Sequence, residues 1–209
     1  MAGPRAGGGT VVTDATVLEA TRRHLTERQA EVVQELVDAT AAEVDEGGYQ
    51  GLTVRNVARR AGVAPATAYN YFSSKDHLLA ELLWRRLQAL PPVDGAAGGT
   101  LVGRLAGTVE QVVLLTTESP ALVGACTTAL LSATPDVKHL RDRIGLEIHR
   151  RFVDAVGDGV DPDVVQVLET TYSGALLMAG MGHLTYDEVP GLVARAAGLM
   201  LGGGQEERP

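Results

Sequence analysis

The chain has a single cysteine, Cys126, in 209 residues. No intramolecular disulfide can form, so a cross-linked extracellular scaffold is excluded and a reducing compartment fits. Aromatic residues make up only 4% of the chain, whereas hydrophobic residues make up 45%. The core must therefore come from Ala, Val and Leu. No stretch of about 18 apolar residues free of charge occurs, which argues against a membrane-spanning helix. The opening decapeptide MAGPRAGGGT lacks the apolar run of a secretory signal, and the cytoplasm is the expected location. The patterns G-x-S-x-G, H-E-x-x-H, C-x-x-C and the P-loop are all missing, so no enzyme is expected. His139, His149 and His183 have no metal-ligand spacing with one another or with Cys126. His183 and Asp187 read as a helix-surface pair, and neither metal nor cofactor is expected.

Long strand-type alternation is also missing, and the apolar residues recur at helical spacing instead. The expected class is all-α, with about nine helices. Net charge is -8, which disfavours a polyanionic partner for the chain as a whole. Its distribution reopens the question: residues 1–90 carry -1 and residues 91–209 carry -7. Between 47 and 75 stand Arg55, Arg59, Arg60 and Lys75, with no acid at all. A local basic patch on an acidic protein is compatible with DNA, although four charges on solvated helices would look the same.

Residues 1–25 read as a disordered or partly helical arm, in which Arg22 and Arg23, with Arg28 just beyond, could reach a phosphate. Thr26 opens the first firm helix, with Gln29 completing a capping box. Val33, Leu36, Val37, Thr40 and Val44 mark its buried face, and Gly47-Gly48 ends it. Thr53 caps a second helix of about Val54 to Ala61, and Gly62 turns the chain. A third helix follows from Ala64, with Pro65 at its first position and Phe72 near its end. Ser73 or Ser74 caps a fourth, about 74–90, bearing Leu78, Leu79, Leu82, Leu83 and Leu87. The stretch PPVDGAAGG at 91–99 is the clearest linker. Beyond it, helices are expected at about 100–117, 119–133, 136–156, 162–184 and 188–201.

The segment Thr53–Lys75, TVRNVARRAGVAPATAYNYFSSK, sets two short helices about a glycine turn. This is a helix-turn-helix, whose second helix enters the major groove. With Leu36–Ala39, Gly48-Tyr49, Leu52–Arg55, Val57-Ala58, Ala61–Val63, Thr67, Tyr69, Phe72, Lys75 and Leu78-Leu79, it resembles the TetR family of transcription regulators. The likeness covers about residues 30–80. It departs from the family pattern at Ala64, Ala66 and Ala68, which removes polar base-reading groups and puts the operator's identity in doubt.

The resemblance implies a three-helix DNA-binding unit over 26–75. It also implies a helical unit over 76–204 for effector binding and dimerisation, with the fourth helix as connector. The implied partners are a pseudo-palindromic double-stranded operator, a second copy of the chain and a small, apolar effector. The implied activity is repression relieved by that effector. A helical scaffold without DNA binding is the competing reading.

Thr53 can hold a phosphate besides capping its helix. Arg55 is placed to read guanine, or otherwise to bind phosphate. Pro65 and Ala66 face base edges without donors, and Thr67 and Lys75 look like phosphate clamps. Tyr69 is expected to pack its ring and present its hydroxyl to DNA, while Tyr71 touches phosphate. Asn70 can pair with adenine, though phosphate contact or solvation is the commoner use.

For the effector pocket the candidates are Leu105, Val109, Val112, Val113 and Leu122, together with Cys126, Leu130, Leu176 and Met178. All of them could equally be ordinary core. The small residues Ser173, Gly174, Ala175, Ala179 and Gly180 suit a dimer interface, with intradomain packing as the alternative. Cys126 reads as a buried thiol.

Overall fold

The computed structural model describes residues 26–93, 99–115 and 119–202. The expected N-terminal arm, with Arg22 and Arg23, and the middle of the 91–99 linker lie outside the described residues. Among the described residues there are nine α-helices, one 3-10 turn and no strand. The helices are α1 (Glu27–Gly51), α2 (Val54–Arg60), α3 (Pro65–Tyr71), α4 (Lys75–Ala89) and α5 (Leu101–Leu114). They continue with α6 (Pro120–Leu130), α7 (Pro135–Val156), α8 (Pro162–Gly180) and, after the 3-10 turn Tyr186–Glu188, α9 (Val189–Gly202).

Local chemistry sets the boundaries of the first four. Thr26 and Gln29 form the reciprocal capping box of α1, its side chain accepting from the Gln29 amide at 3.3 Å. Gly47-Gly48 ends the regular run of α1 as expected. Gly48 takes a non-helical backbone at φ 61°, and one further short turn runs to Gly51 beyond that break. Thr53 accepts from the Asn56 amide at 3.1 Å and Ser74 from the His77 amide at 3.1 Å. Gly62, at φ 68°, makes the turn between α2 and α3, a conformation that a Cβ would strain. Several later helices are shorter than their apolar patterns suggest. α8, for instance, closes at Gly180, and Gly182 at φ 79° redirects the chain.

Two main cores result. The first joins α1 to α4 through fully buried Leu36, Val57, Ala58, Ala68, Leu78 and Leu79. It also takes in Leu122, Ala125, Cys126 and Ala129 from α6, so it extends beyond the helix-turn-helix segment. The second packs α5, α7, α8 and α9 around Leu105, Val109, Phe152, Leu168, Val189 and Val193.

α4 and α7 run side by side in the same direction and are fastened along their length. At one end Ser73 Oγ donates to Asp136 at 2.7 Å, and His77 Nδ1 lies 3.8 Å from the same carboxylate. Midway, the Arg143 guanidinium lies 4.4 Å from the Trp84 ring centre. At the other end Arg151, only 2% exposed, donates to the carbonyls of Leu87, Leu90 and Pro91 and to Glu147. A buried guanidinium needs this full set of acceptors to offset its desolvation.

Candidate nucleic-acid interface and interior cavity

α2 and α3 turn their small residues inward and their polar residues outward. Val54, Val57, Ala58 and Ala68 are buried, while Thr53, Arg55, Pro65, Ala66, Tyr69 and Asn70 are exposed. Thr67 is half-buried. The exposed set lies on the two short helices and the cap of the first, with the α3 N-terminus led by Pro65.

The four cations of this region have different fates. Arg60 is engaged by Glu43 at 2.7 Å and by Glu46, both on α1. Lys75 donates to the Tyr49 carbonyl at 2.8 Å and lies 3.8 Å from the centre of that ring. Tyr49 in turn donates to Asp76 at 2.7 Å; burial and the Asp76 carboxylate push its pKa up to about 12. Lys75 therefore ties α4 to the end of α1. Arg55 and Arg59 are exposed and have no partner among the described residues. Sequence reasoning did not single out Arg59 as a site residue; its place one helical turn from Arg55 was the available signal.

The two tyrosines of α3 exchange their expected environments. Tyr69 is not packed: its side chain is 49% exposed. Tyr71 is the one half-buried against the first core. Two residues apart on a helix, they point to different sides, and only one can meet α1.

The second feature is a cavity of about 290 Å³. Of the candidate pocket residues, Val112, Val113, Cys126, Leu130 and Leu176 line it. Leu105 and Val109 are fully buried in the second core away from it, and Leu122 belongs to the first core. Met178 is 41% exposed and points outward. The walls that sequence reasoning missed come from α7, with Ile144, Gly145 and Ile148, and from Tyr172 and Leu177 on α8. α4 contributes Leu83 and Leu87. Ile144 and Ile148, four apart on a charged helix, were the legible sign of that wall. Burial pushes the Cys126 thiol up to about 12 and raises the Tyr172 hydroxyl as well, so both groups stay protonated at neutral pH.

The small-residue stretch of α8 divides in the same way. Ala175 and Ala179 are buried inside the protomer in the second core, because they share the face of Leu168 and Tyr172. They are not available to a partner. Ser173 is exposed and lines the cavity, and Gly174 and Gly180 are exposed. Among the described residues no cluster of His, Cys, Asp or Glu could hold a metal, and no helix is long and apolar enough to cross a membrane.

A helix-turn-helix with exposed cations, joined to a helical body with an apolar cavity, is the architecture of a DNA-binding transcription regulator. Residues 36–82 match the family model for bacterial regulatory proteins, tetR family. The HTH-type transcriptional regulator Rv0767c of Mycobacterium tuberculosis is 42% identical over 181 residues, covering 86% of this chain and 84% of the relative. The HTH-type transcriptional repressor KstR of Mycolicibacterium smegmatis is 31% identical over 190 residues, covering 88% and 92%. The transcriptional regulator FadR of Bacillus subtilis, solved with stearoyl-CoA, has the same fold. Its TM-score is 0.58 at 20% identity, with 81% of this chain and 98% of that one covered. The chain belongs to the TetR family and is a helix-turn-helix transcription regulator.

Proposed function

We propose that the chain is a cytoplasmic, non-enzymatic repressor that binds a pseudo-palindromic operator as a homodimer and is released by an apolar small molecule. In this reading residues 26–75 read DNA, residues 76–204 bind effector and dimerise, and α4 connects them. Arg55 enters the groove and Arg59 and Thr53 hold backbone phosphates. Pro65, Ala66, Thr67, Tyr69 and Asn70 face the operator, with Tyr71 and Lys75 in support. Two copies pair through α8 and α9. On α8, Val167, Gly174 and Met178 are exposed at positions that share one face, which Met181 extends at the C-cap.

The observation that carries the reading is the double role of α4. Its N-terminus follows the recognition helix by a short turn, and its Leu83 and Leu87 form part of the cavity wall. A ligand that fits only one position of α4 shifts the spacing of the two recognition helices, and its differential affinity sets the extent of release. The stearoyl-CoA complex of FadR, on the same fold, favours an apolar effector.

The test is fluorescence anisotropy on DNA from upstream of the chain's own gene, with salt varied. Specific binding with a steep salt dependence is expected. No binding at low salt would leave the scaffold reading. Sedimentation should give a dimer at micromolar concentration, and a monomer with and without DNA would refute the pairing.

A further inference from the structure

The cavity wall is apolar apart from a few groups, and one of these is charged. Among the described residues its lining includes no Asp, Glu, Lys or His, but it includes Arg141 on α7. Arg141 is held at the C-terminal end of α6, where Nη1 donates to the carbonyls of Leu130 at 2.8 Å and Ser132 at 3.2 Å. Both bonds use one nitrogen. Nε and Nη2, the edge of the guanidinium that matches a carboxylate, make no bond to a described residue. Of the other arginines of α7, Arg143 lies over the Trp84 ring and is not in the lining, and the two further along differ in their hydrogen bonds. Arg150 and Arg151 each commit Nε, Nη1 and Nη2 to protein acceptors.

We propose that this cavity takes an amphiphile whose apolar body ends in a free carboxylate, and that the open edge of Arg141 receives that carboxylate. The inference rests on the effector reading for the site and adds the chemistry of the headgroup. Arg141 is half-exposed at the border of the apolar walls, and its neighbour Asp142 is exposed and not part of the lining. A carboxylate on the open guanidinium edge would form the charge-assisted pair that the two carbonyls leave room for. Ser173, also in the lining, offers a hydroxyl as a second donor. Ile144 and Ile148 carry the apolar wall away from Arg141 along α7. Seven residues of helix extend about 10 Å at about 1.5 Å each. The volume, about 290 Å³, is roughly twice the ~150 Å³ that admits benzene, which suits a chain of about ten carbons.

The experiment is calorimetric titration of the full chain with decanoate, 1-decanol and decanoyl-CoA. Decanoate is expected to bind at least about tenfold more tightly than decanol, the scale of a charged hydrogen bond. Arg141→Met should remove that preference, read as the ratio of decanoate to decanol affinity within the variant. Arg141→Gln keeps a donor for Leu130 and Ser132, and carries the same test should the methionine variant fail to fold. Decanol binding as tightly as decanoate, or decanoyl-CoA binding more tightly than decanoate, would overturn the headgroup assignment. So would decanoate binding that is indifferent to residue 141. Failure of all three compounds to bind would overturn it together with the ligand role of the cavity. Operator release is read separately: decanoate that binds without displacing DNA refutes the effector reading and leaves the headgroup assignment standing.

Discussion

The two cores are made from the same few residue types, yet only the second borders much of an apolar cavity. In the first, Leu36, Val57, Ala58, Leu78 and Leu79 are fully buried, and caps at Thr26, Thr53 and Ser74 fix the helix ends. The side chains above it are therefore held at fixed spacing, as groove recognition requires. Beside the second, α4 to α8 leave a cavity of about 290 Å³, lined by Leu87, Val112, Val113, Ile144 and Tyr172 of that core and by Cys126 of the first. A filled core resists deformation, whereas one with a hole has alternative packings close in energy. On the proposed function the pair would combine a rigid reader with a deformable sensor, and α4 and α6 contribute to both cores or their borders.

Removing the strongest fastening should break this contrast most sharply. Arg151→Ala leaves Glu147 and the carbonyls at the end of α4 without their partner. A loss of about 3–5 kcal/mol is expected in urea unfolding. The same site has an acid limit. Arg150 foremost, and then Arg151, hold the Glu147 carboxyl below its usual value of 4.5. Its contribution is complete above that value and lost as pH falls through the lower folded one, so Glu147→Gln should flatten the stability profile below pH 4.5.

Leu36→Ala in the filled core should cost about 2–5 kcal/mol, because the packed surroundings cannot collapse onto the void. Leu176→Ala, beside existing space, should cost less in the same assay; an equal cost would mean the cores do not differ in packing. Arg55→Ala is expected to lose about 1–3 kcal/mol of operator binding at unchanged melting temperature. A loss equal on every DNA sequence would reassign it to phosphate. The smallest effect is expected at Gly145, where an added Cβ would meet nothing within 4 Å. Gly145→Leu should raise stability by no more than about 1 kcal/mol through helix propensity. It should also weaken effector binding by occupying the cavity, and unchanged affinity for a cavity ligand would place that ligand elsewhere.

The reader was legible in the sequence because its signals are local. Thr53, Gly62 and Pro65 act on residues within a turn of themselves, so cap, bend and helix start follow from order alone. What failed there needed a second element: α1 decides that Tyr71 rather than Tyr69 packs, and Glu43 and Glu46 on α1 decide that Arg60 is engaged. The sensor was legible only as helices. Apolar periodicity gives the inward face of α5, but Leu105 and Val109 meet neighbours where Val112 and Val113 meet space, and that depends on the rest of the bundle. Ala175 and Ala179 were ambiguous for the same reason, since small residues suit an inner and an outer contact alike.

Arg151 grips α4 through the main-chain carbonyls of Leu87, Leu90 and Pro91, not through their side chains. A carbonyl is present whatever residue carries it. The clasp is therefore indifferent to sequence on the α4 side, although Leu87 itself faces the cavity. Mutation can therefore reshape the cavity wall at position 87 without loosening the joint between α4 and α7. If the proposed relay through α4 holds, such a protein could exchange one inducer for another over generations while the joint is inherited intact.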